Sequence, residues 1–249
     1  MLAFSVTLKR ADNIPIPRFQ IDLTARDMLG CFKALASTGD GDTLSAFEHA
    51  IAQKAGRKHT VAFSSGRMAL YATLASLDVP PDRREILVPA FTVPEVITMI
   101  RSAGWKPVFA DAHPSRYHVE PSEAEKRLTP KTSAILMTHL FGQTSDVDGF
   151  IELASRNNLL LLEDAAQALG ASYKNKAAGS FGLASLFSFG LVKNLTTLGG
   201  GMVATDDDSL DSALRRIKYE WAAPDRLSLA KKLGMSLAVK IATGNPFFS

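Results

Sequence analysis

Cysteine is nearly missing from this chain. Cys31 is the single one among 249 residues, so no intrachain disulfide can form and nothing in the cysteine usage suggests export. Long apolar runs are missing as well, since no stretch approaches the ~18 residues that a membrane-crossing helix requires. The N-terminal MLAFSVTLKRADNIPIP has too short an apolar portion, with charges following at once, for a secretory leader. No membrane span is expected, and the cytoplasm is the expected compartment. Charge of one sign is not in excess either. Lys and Arg total 28 against 25 Asp and Glu, a net charge of +3 that is too small to argue for nucleic acid, and no basic run is present. No GxGxxG follows the first strand-like segment, which speaks against a plain dinucleotide-binding domain. Internal repeats and low-complexity tracts are also absent.

What is present is an ordinary globular composition, 46% hydrophobic and 21% charged, in a chain long enough to bury one substantial core. Residues 1–18 read as an irregular lead-in, because Pro15 and Pro17 exclude a regular helix. Leu23 to Leu35 show helical spacing until Gly39-Asp40-Gly41-Asp42 interrupts it. Thr43 is placed to cap the next helix, LSAFEHAIAQKAG, which ends at Gly56. A βα alternation then sets in. Strands are expected at His59–Phe63, Glu85–Val88, Pro107–Ala110, Ser133–Thr138, Leu159–Leu162, Ala184–Phe189 and Met202–Thr205. Helices are expected at Gly66–Leu77, with Met68, Leu70 and Leu74 inward, from Pro94, and at Asp146–Asn157. Seven strands interleaved with helices predict an α/β fold, a three-layer, mostly parallel seven-stranded sheet. Beyond it, Asp208–Tyr219 and Leu227–Ala242 read as helices, the second a packing helix whose Lys231, Lys232 and Lys240 face solvent.

The chemistry concentrates between Leu159 and Gly201. An apolar run ends in Glu163-Asp164 and gives way to small, helix-compatible residues; an apolar-aromatic run then carries Ser188, and Lys193 follows before Gly199-Gly200-Gly201. Buried strands that deliver an acid, a hydroxyl and a lysine to their C-terminal edges place them where parallel sheets bind ligands. Asp164 and Lys193 suit pyridoxal 5'-phosphate, which needs a lysine for its Schiff base and an acid to keep its pyridine nitrogen protonated. Phosphate needs amide donors or a helix N-terminus. Phe63-Ser64-Ser65-Gly66-Arg67-Met68 offers a strand, a small-residue turn and a helix start.

EDAAQA at 163–168 and FSF…KNLTT…GG at 187–201 resemble the central motifs of the DegT-type (DegT/DnrJ/StrS) nucleotide-sugar aminotransferases, a likeness that runs over roughly residues 30–206. The resemblance implies an aspartate-aminotransferase-like, fold type I large domain and pyridoxal 5'-phosphate as cofactor. Lys193 matches the Schiff-base lysine, Asp164 the acid on the pyridine nitrogen, and Gln167 a residue beside the cofactor ring. Ser65, Gly66 and Arg67 match the phosphate-binding turn, with Ser188 completing the cup. Arg67 stands where the family usually has threonine, which removes a hydroxyl but keeps the amide. The ring-stacking aromatic of many relatives has no clear match, since Val93 follows Thr92 and Phe91 precedes it. The family's implied partners are a nucleotide-linked keto sugar, an amino-acid donor, usually glutamate, and a second copy of the chain in a homodimer. A branch that replaces the lysine by histidine carries out dehydration instead, and Lys193 argues against it.

His139, in THLFGQ, lacks a second ligand at metal-binding spacing and is expected as a satisfied, mostly buried histidine. Asp111, His113, Tyr117 and His118 are expected in turns and on the surface. The resemblance divides the chain into a lead-in and helix at 1–39, a cofactor-binding large domain at 40–206, and at 207–249 the helical start of an incomplete C-terminal domain. Arg215–Trp221 lacks the Asn-His-Gly-like pattern usual there, and the apolar end at 245–249 looks cut off. Those features motivate a second expectation, a non-catalytic cofactor-binding or regulatory protein of the same fold.

Overall fold

The structure, a computed structural model, describes residues 41–221 and 226–242 with isolated positions between 24 and 33. The lead-in, most of the helix expected at Leu23–Leu35, and the apolar end lie outside the described residues. Helix α1 (Gly41–Ala55) precedes β1 (His59–Phe63), α2 (Gly66–Ser76), β2 (Glu85–Pro89), α3 (Pro94–Ser102) and β3 (Lys106–Ala110). Then come α4 (Pro121–Glu125), β4 (Thr132–Thr138), α5 (Val147–Arg156), β5 (Leu160–Asp164), a small hairpin of β6 (Ser172–Tyr173) and β7 (Lys176–Ala177), β8 (Ala184–Ser188) and β9 (Gly201–Thr205). Helices α6 (Asp208–Glu220) and α7 (Arg226–Ala242) follow.

The seven long strands form one sheet in the order β1-β9-β8-β5-β4-β2-β3. Neighbours run parallel except that β9 is antiparallel to both β8 and β1. Continuous apolar sequence is what a strand covered on both faces requires; β2, β4 and β9 are buried at every position. On one face Leu70 and Leu74 of α2 pack with Val96 and Ile100 of α3, Leu162 and Leu186. Leu210 and Leu214 of α6 join this same cluster. On the other face Phe150 and Leu153 of α5 pack against Met137 and Leu161, with Phe187 and Phe189 in an adjoining cluster under α1. Each such side chain stabilises by about 1.5–3 kcal/mol when fully buried.

Differences from the expected elements have local causes. Helix α1 begins at Gly41, so Thr43 lies inside its first turn and not at its cap. Residues 165–170 form successive turns, not a helix. The Asp164 carboxylate accepts the Ala166 N–H at 3.0 Å, and tight bonds from Ala168 N–H to Ala165 C=O and Ala171 N–H to Ala168 C=O follow. The hairpin turns through Lys174 and Asn175, both at positive φ, and it, like α4, is too short to leave a periodic signal.

One buried carboxylate ties the middle of the sheet together. Glu163 is fully buried. One of its oxygens accepts from Gly179 N–H and from His139 Nε2 at 2.8 Å. The other accepts from Phe181 N–H at 2.8 Å and Ser185 Oγ at 2.9 Å. Arg57, its side chain 5% exposed, grips the same loop from the opposite side and donates to the carbonyls of Gly179, Phe181 and Gly182. His139 is buried, as expected, and its Nδ1 accepts the Ser145 N–H at 3.1 Å. A backbone N–H only donates, so Nε2 must carry the proton that reaches Glu163. In Glu163→Gln the new NH2 meets a backbone N–H in either amide orientation, leaving buried donors unpaired. A loss of about 3 kcal/mol is expected, read as a lowered urea midpoint at unchanged m-value. A loss under about 1 kcal/mol would show that the network does not need a carboxylate.

Candidate active site

At the C-terminal edge of the parallel strands lies a cavity of about 450 Å³. Gly66, Arg67, Asp164, Gln167, Ser188 and Lys193 all line it, together with Phe91, Val93, His139 and Phe141. Six of the seven residues singled out in the sequence are thus brought to one place. The seventh, Ser65, lies behind them as the N-cap of α2, its Oγ accepting the Met68 N–H at 3.2 Å.

The helix N-terminus and the hydroxyl form one wall. α2 begins at Gly66, and the first amides of a helix point outward with partial positive charge. A Cβ on Gly66 would stand 3.0 Å from Ser188 Cβ and 3.3 Å from its Oγ, so the helix start lies closely against that hydroxyl and a side chain there would have to push β8 back. Below it Gly201 is still more constrained. A Cβ there would fall 2.3 Å from Gly66 N and 2.4 Å from the Ser65 carbonyl carbon. The third glycine of the cluster therefore lets β9 support the turn that presents α2. The result is a concave, donor-rich cradle that fits a phosphate. The Arg67 guanidinium is more than half exposed and held by Glu95 at 3.8 Å, a contact of small energy that leaves the cation available.

The same cavity is lined by two charged side chains. Asp164 ends β5, and Lys193 sits in the segment that folds back on Phe189 through the N–H groups of Thr197 and Gly199. Burial pushes the Asp164 carboxyl up from 3.8, against the opposing effects of the Ala166 N–H and the Lys193 charge. Burial likewise pushes the Lys193 ammonium down from 10.5, against the attraction of Asp164. Both side chains line the one cavity, so a ligand with a cationic end for the acid and an electrophilic carbon for the amine could meet both. Gln167 lies on the turn after Asp164, where its Oε1 accepts the Phe141 N–H at 3.1 Å.

Phe91 and Val93 both reach the cavity and both are about half exposed, so each is placed to contact a bound ring. Sequence reasoning missed Arg57, whose role comes from loop carbonyls over a hundred residues away. It also missed the neighbourhood of Tyr117. That residue is in a surface turn, as expected, but at the mouth of this cavity, 5.7 Å from the Phe91 ring.

The DegT/DnrJ/EryC1/StrS aminotransferase family matches residues 25–237. GDP-perosamine synthase of Caulobacter vibrioides is 35% identical over 215 residues, 86% of this chain and 57% of that protein. A pleiotropic regulatory protein of Geobacillus stearothermophilus is 37% identical over 185 residues, 74% of this chain and 50% of its own length. Among solved structures, DesV of S. venezuelae in complex with a ketimine intermediate superposes with a TM-score of 0.74 at 30% identity, covering 87% of this chain and 62% of DesV. The chain thus spans about half the length of the curated relatives it matches. An acid, a lysine and a phosphate cradle around one cavity agree with these likenesses: the chain belongs to the DegT/DnrJ/EryC1/StrS aminotransferase family, whose cofactor is pyridoxal 5'-phosphate.

Proposed function

We propose that the chain acts in the transamination of a nucleotide-linked keto sugar, with an amino acid, glutamate, as donor, in the making of amino sugars for polysaccharides or secondary metabolites. The observation that carries this reading is that a desolvated lysine, a desolvated acid and the donor-rich start of α2 with Ser188 all line one cavity. The name of one relative, a GDP-perosamine synthase, supports the substrate class. When bound, pyridoxal phosphate supplies an electron sink for the carbanion left when an α-proton departs.

The chain's own residues supply the rest. The α2 N-terminus with Ser65, Gly66, Arg67 and Ser188 holds the phosphate and fixes the ring's position. Asp164 keeps a proton on the pyridine nitrogen, where a carboxylate inside a low-dielectric pocket interacts more strongly than in water. Lys193 Nζ, its proton loosened by burial, would hold the aldehyde end of the cofactor and, when free, would be the base placed to move the proton at the donor's Cα. Such positioned proton transfer is typically worth ~10²–10⁴-fold in rate. Gln167 braces the Phe141 loop beside the ring. We further propose that the chain works as a homodimer in the cytoplasm, with residues 40–206 as the cofactor-binding unit and 207–249 opening a C-terminal part.

A second reading is favoured by the Geobacillus relative's description as a regulatory protein, namely binding of the cofactor without turnover. Spectroscopy separates the two. Protein mixed with pyridoxal phosphate is expected to show a visible band that Lys193→Ala lacks, and glutamate is expected to convert it to the absorbance of the cofactor's amine form. A Lys193-dependent band that glutamate leaves unchanged would assign the non-catalytic reading, and no band at all would overturn both.

The charge shifts give a further expectation. Lys193 has a folded pKa below 10.5, so stability rises with pH between that lowered value and 10.5, and below the window the burial penalty is fully present. Asp164 has a folded pKa above 3.8, so stability falls as pH rises from 3.8 through the raised value. Near neutral pH both penalties act together. Lys193→Met is therefore expected to leave the cofactor-free protein at least as thermally stable as wild type at pH 7 while abolishing cofactor capture. In wild type, the capture rate should reach its half-maximum below pH 10.5. A midpoint at or above 10.5 would show that Lys193 is an ordinary solvated amine.

A further inference from the structure

Three aromatic rings stand in an exposed row at the mouth of the cavity. Phe91 follows β2, Tyr117 follows β3 and Phe141 follows β4, and they are 50%, 48% and 64% exposed. The Phe91 and Tyr117 ring centroids are 5.7 Å apart, and those of Tyr117 and Phe141 are 6.0 Å apart. Phe91 and Phe141 also line the cavity. Tyr117 and Phe141 have φ of 62° and 55°, a left-handed backbone that bulky residues rarely adopt. Strain of this kind persists only where surrounding structure imposes it, and here it does. Tyr117 N–H bonds to His113 C=O at 2.9 Å, Leu140 N–H points to His118 Nε2 at 3.4 Å, and Phe141 N–H is held by Gln167. The backbone is fixed in an unfavourable form, and the rings it presents belong to none of the buried clusters formed by the described residues.

We propose that this row is the platform on which the planar base of a nucleotide-linked substrate stacks; the inference rests on the substrate class proposed above. The cavity, about 450 Å³, is at the lower end of the roughly 300–1,000 Å³ typical for one drug-sized ligand. A cofactor bound there would take up much of that space, so a nucleotide joined to the reacting sugar would extend to the mouth, where the rings are. Every base has a π-face, so aromatic stacking suits it without demanding one base identity. The loosely held Arg67 guanidinium in the cavity wall supplies the positive charge for a diphosphate joining sugar to nucleoside.

The test is calorimetric titration of the full, cofactor-loaded chain with GDP, UDP and dTDP, with inorganic diphosphate as the baseless control. Tyr117→Gly and Phe141→Gly remove a ring and at the same time relieve the left-handed backbone, so folding is not at risk; Tyr117→Phe keeps the ring. Each glycine variant is expected to bind the best nucleoside diphosphate on the order of tenfold more weakly. In Tyr117→Gly, whose side chain does not line the cavity, diphosphate binding and the cofactor's visible band should not change, and Tyr117→Phe should behave as wild type. Glycine variants that bind as tightly as wild type would overturn the platform. So would a loss accompanied by a drop in molar mass in light scattering, which would make the row a contact between copies. Ring-dependent nucleotide binding in a protein that glutamate does not turn over would uphold the platform and overturn the transferase reading. Turnover by glutamate with ring-independent nucleotide binding would do the reverse.

Discussion

A carboxylate sealed from water, Glu163, is the constraint on which the arrangement of the site depends. A buried anion is tolerated only when each of its acceptor positions meets a donor, and here four donors come from three separate places: the β4–α5 connection, two amides of the loop before β8, and β8 itself. Arg57 completes the arrangement by taking that loop's carbonyls. Neither ion is tolerable without the loop, and the loop's backbone groups would be orphaned without the ions. The position of β8, and so of Ser188, follows from this mutual satisfaction more than from hydrophobic contact, which tolerates sliding.

Alternation along the strands then assigns the two neighbouring acids to different work. Cross-strand partners share a face and successive residues do not. Asp164 pairs with Thr138 and Leu186, so its side chain lies on the face that α2 and α3 cover, and Ser188, two residues beyond Leu186, lies on that face too. Glu163, one residue back, faces the other layer with Phe187 and Met137. A one-residue slip of β5 would place the fully bonded acid in the cavity and the cavity's acid in the core. Register here is therefore a functional property, and the Glu163 network is what forbids the slip.

Much of this was legible in the sequence. All seven long strands lie within a residue or two of their expected places, because continuous apolar runs ended by Gly, Pro or charge are what doubly covered strands require. Lys193, Asp164, Ser188 and the Gly66 turn could be singled out because each follows such a run, and the sheet brings strand ends together. What stayed hidden depended on distance along the chain or on local hydrogen bonds. Nothing near Arg57 announces a loop beyond residue 178. The residues at 165–170 are helix-compatible because alanine favours helix, yet they form turns, with the Asp164 carboxylate taking the Ala166 N–H. Tyr117 looked like a surface turn residue, and it is one; its ring matters only because the β2, β3 and β4 connections end side by side.

The site holds two kinds of unfavourable energy, and they lie at the same sheet edge. Asp164 and Lys193 are each desolvated beyond what their mutual attraction offsets, and the left-handed backbones of Tyr117 and Phe141 are held by Gln167 and the 113–118 turn. A core would have relaxed both, through a closed ion pair in the first case and a glycine in the second. The fold prevents the first by setting the two charges on separate segments, and the sequence does not adopt the second. Unrelieved charge and maintained strain thus meet at one rim of the sheet, which is where a surface kept for a ligand differs from a core.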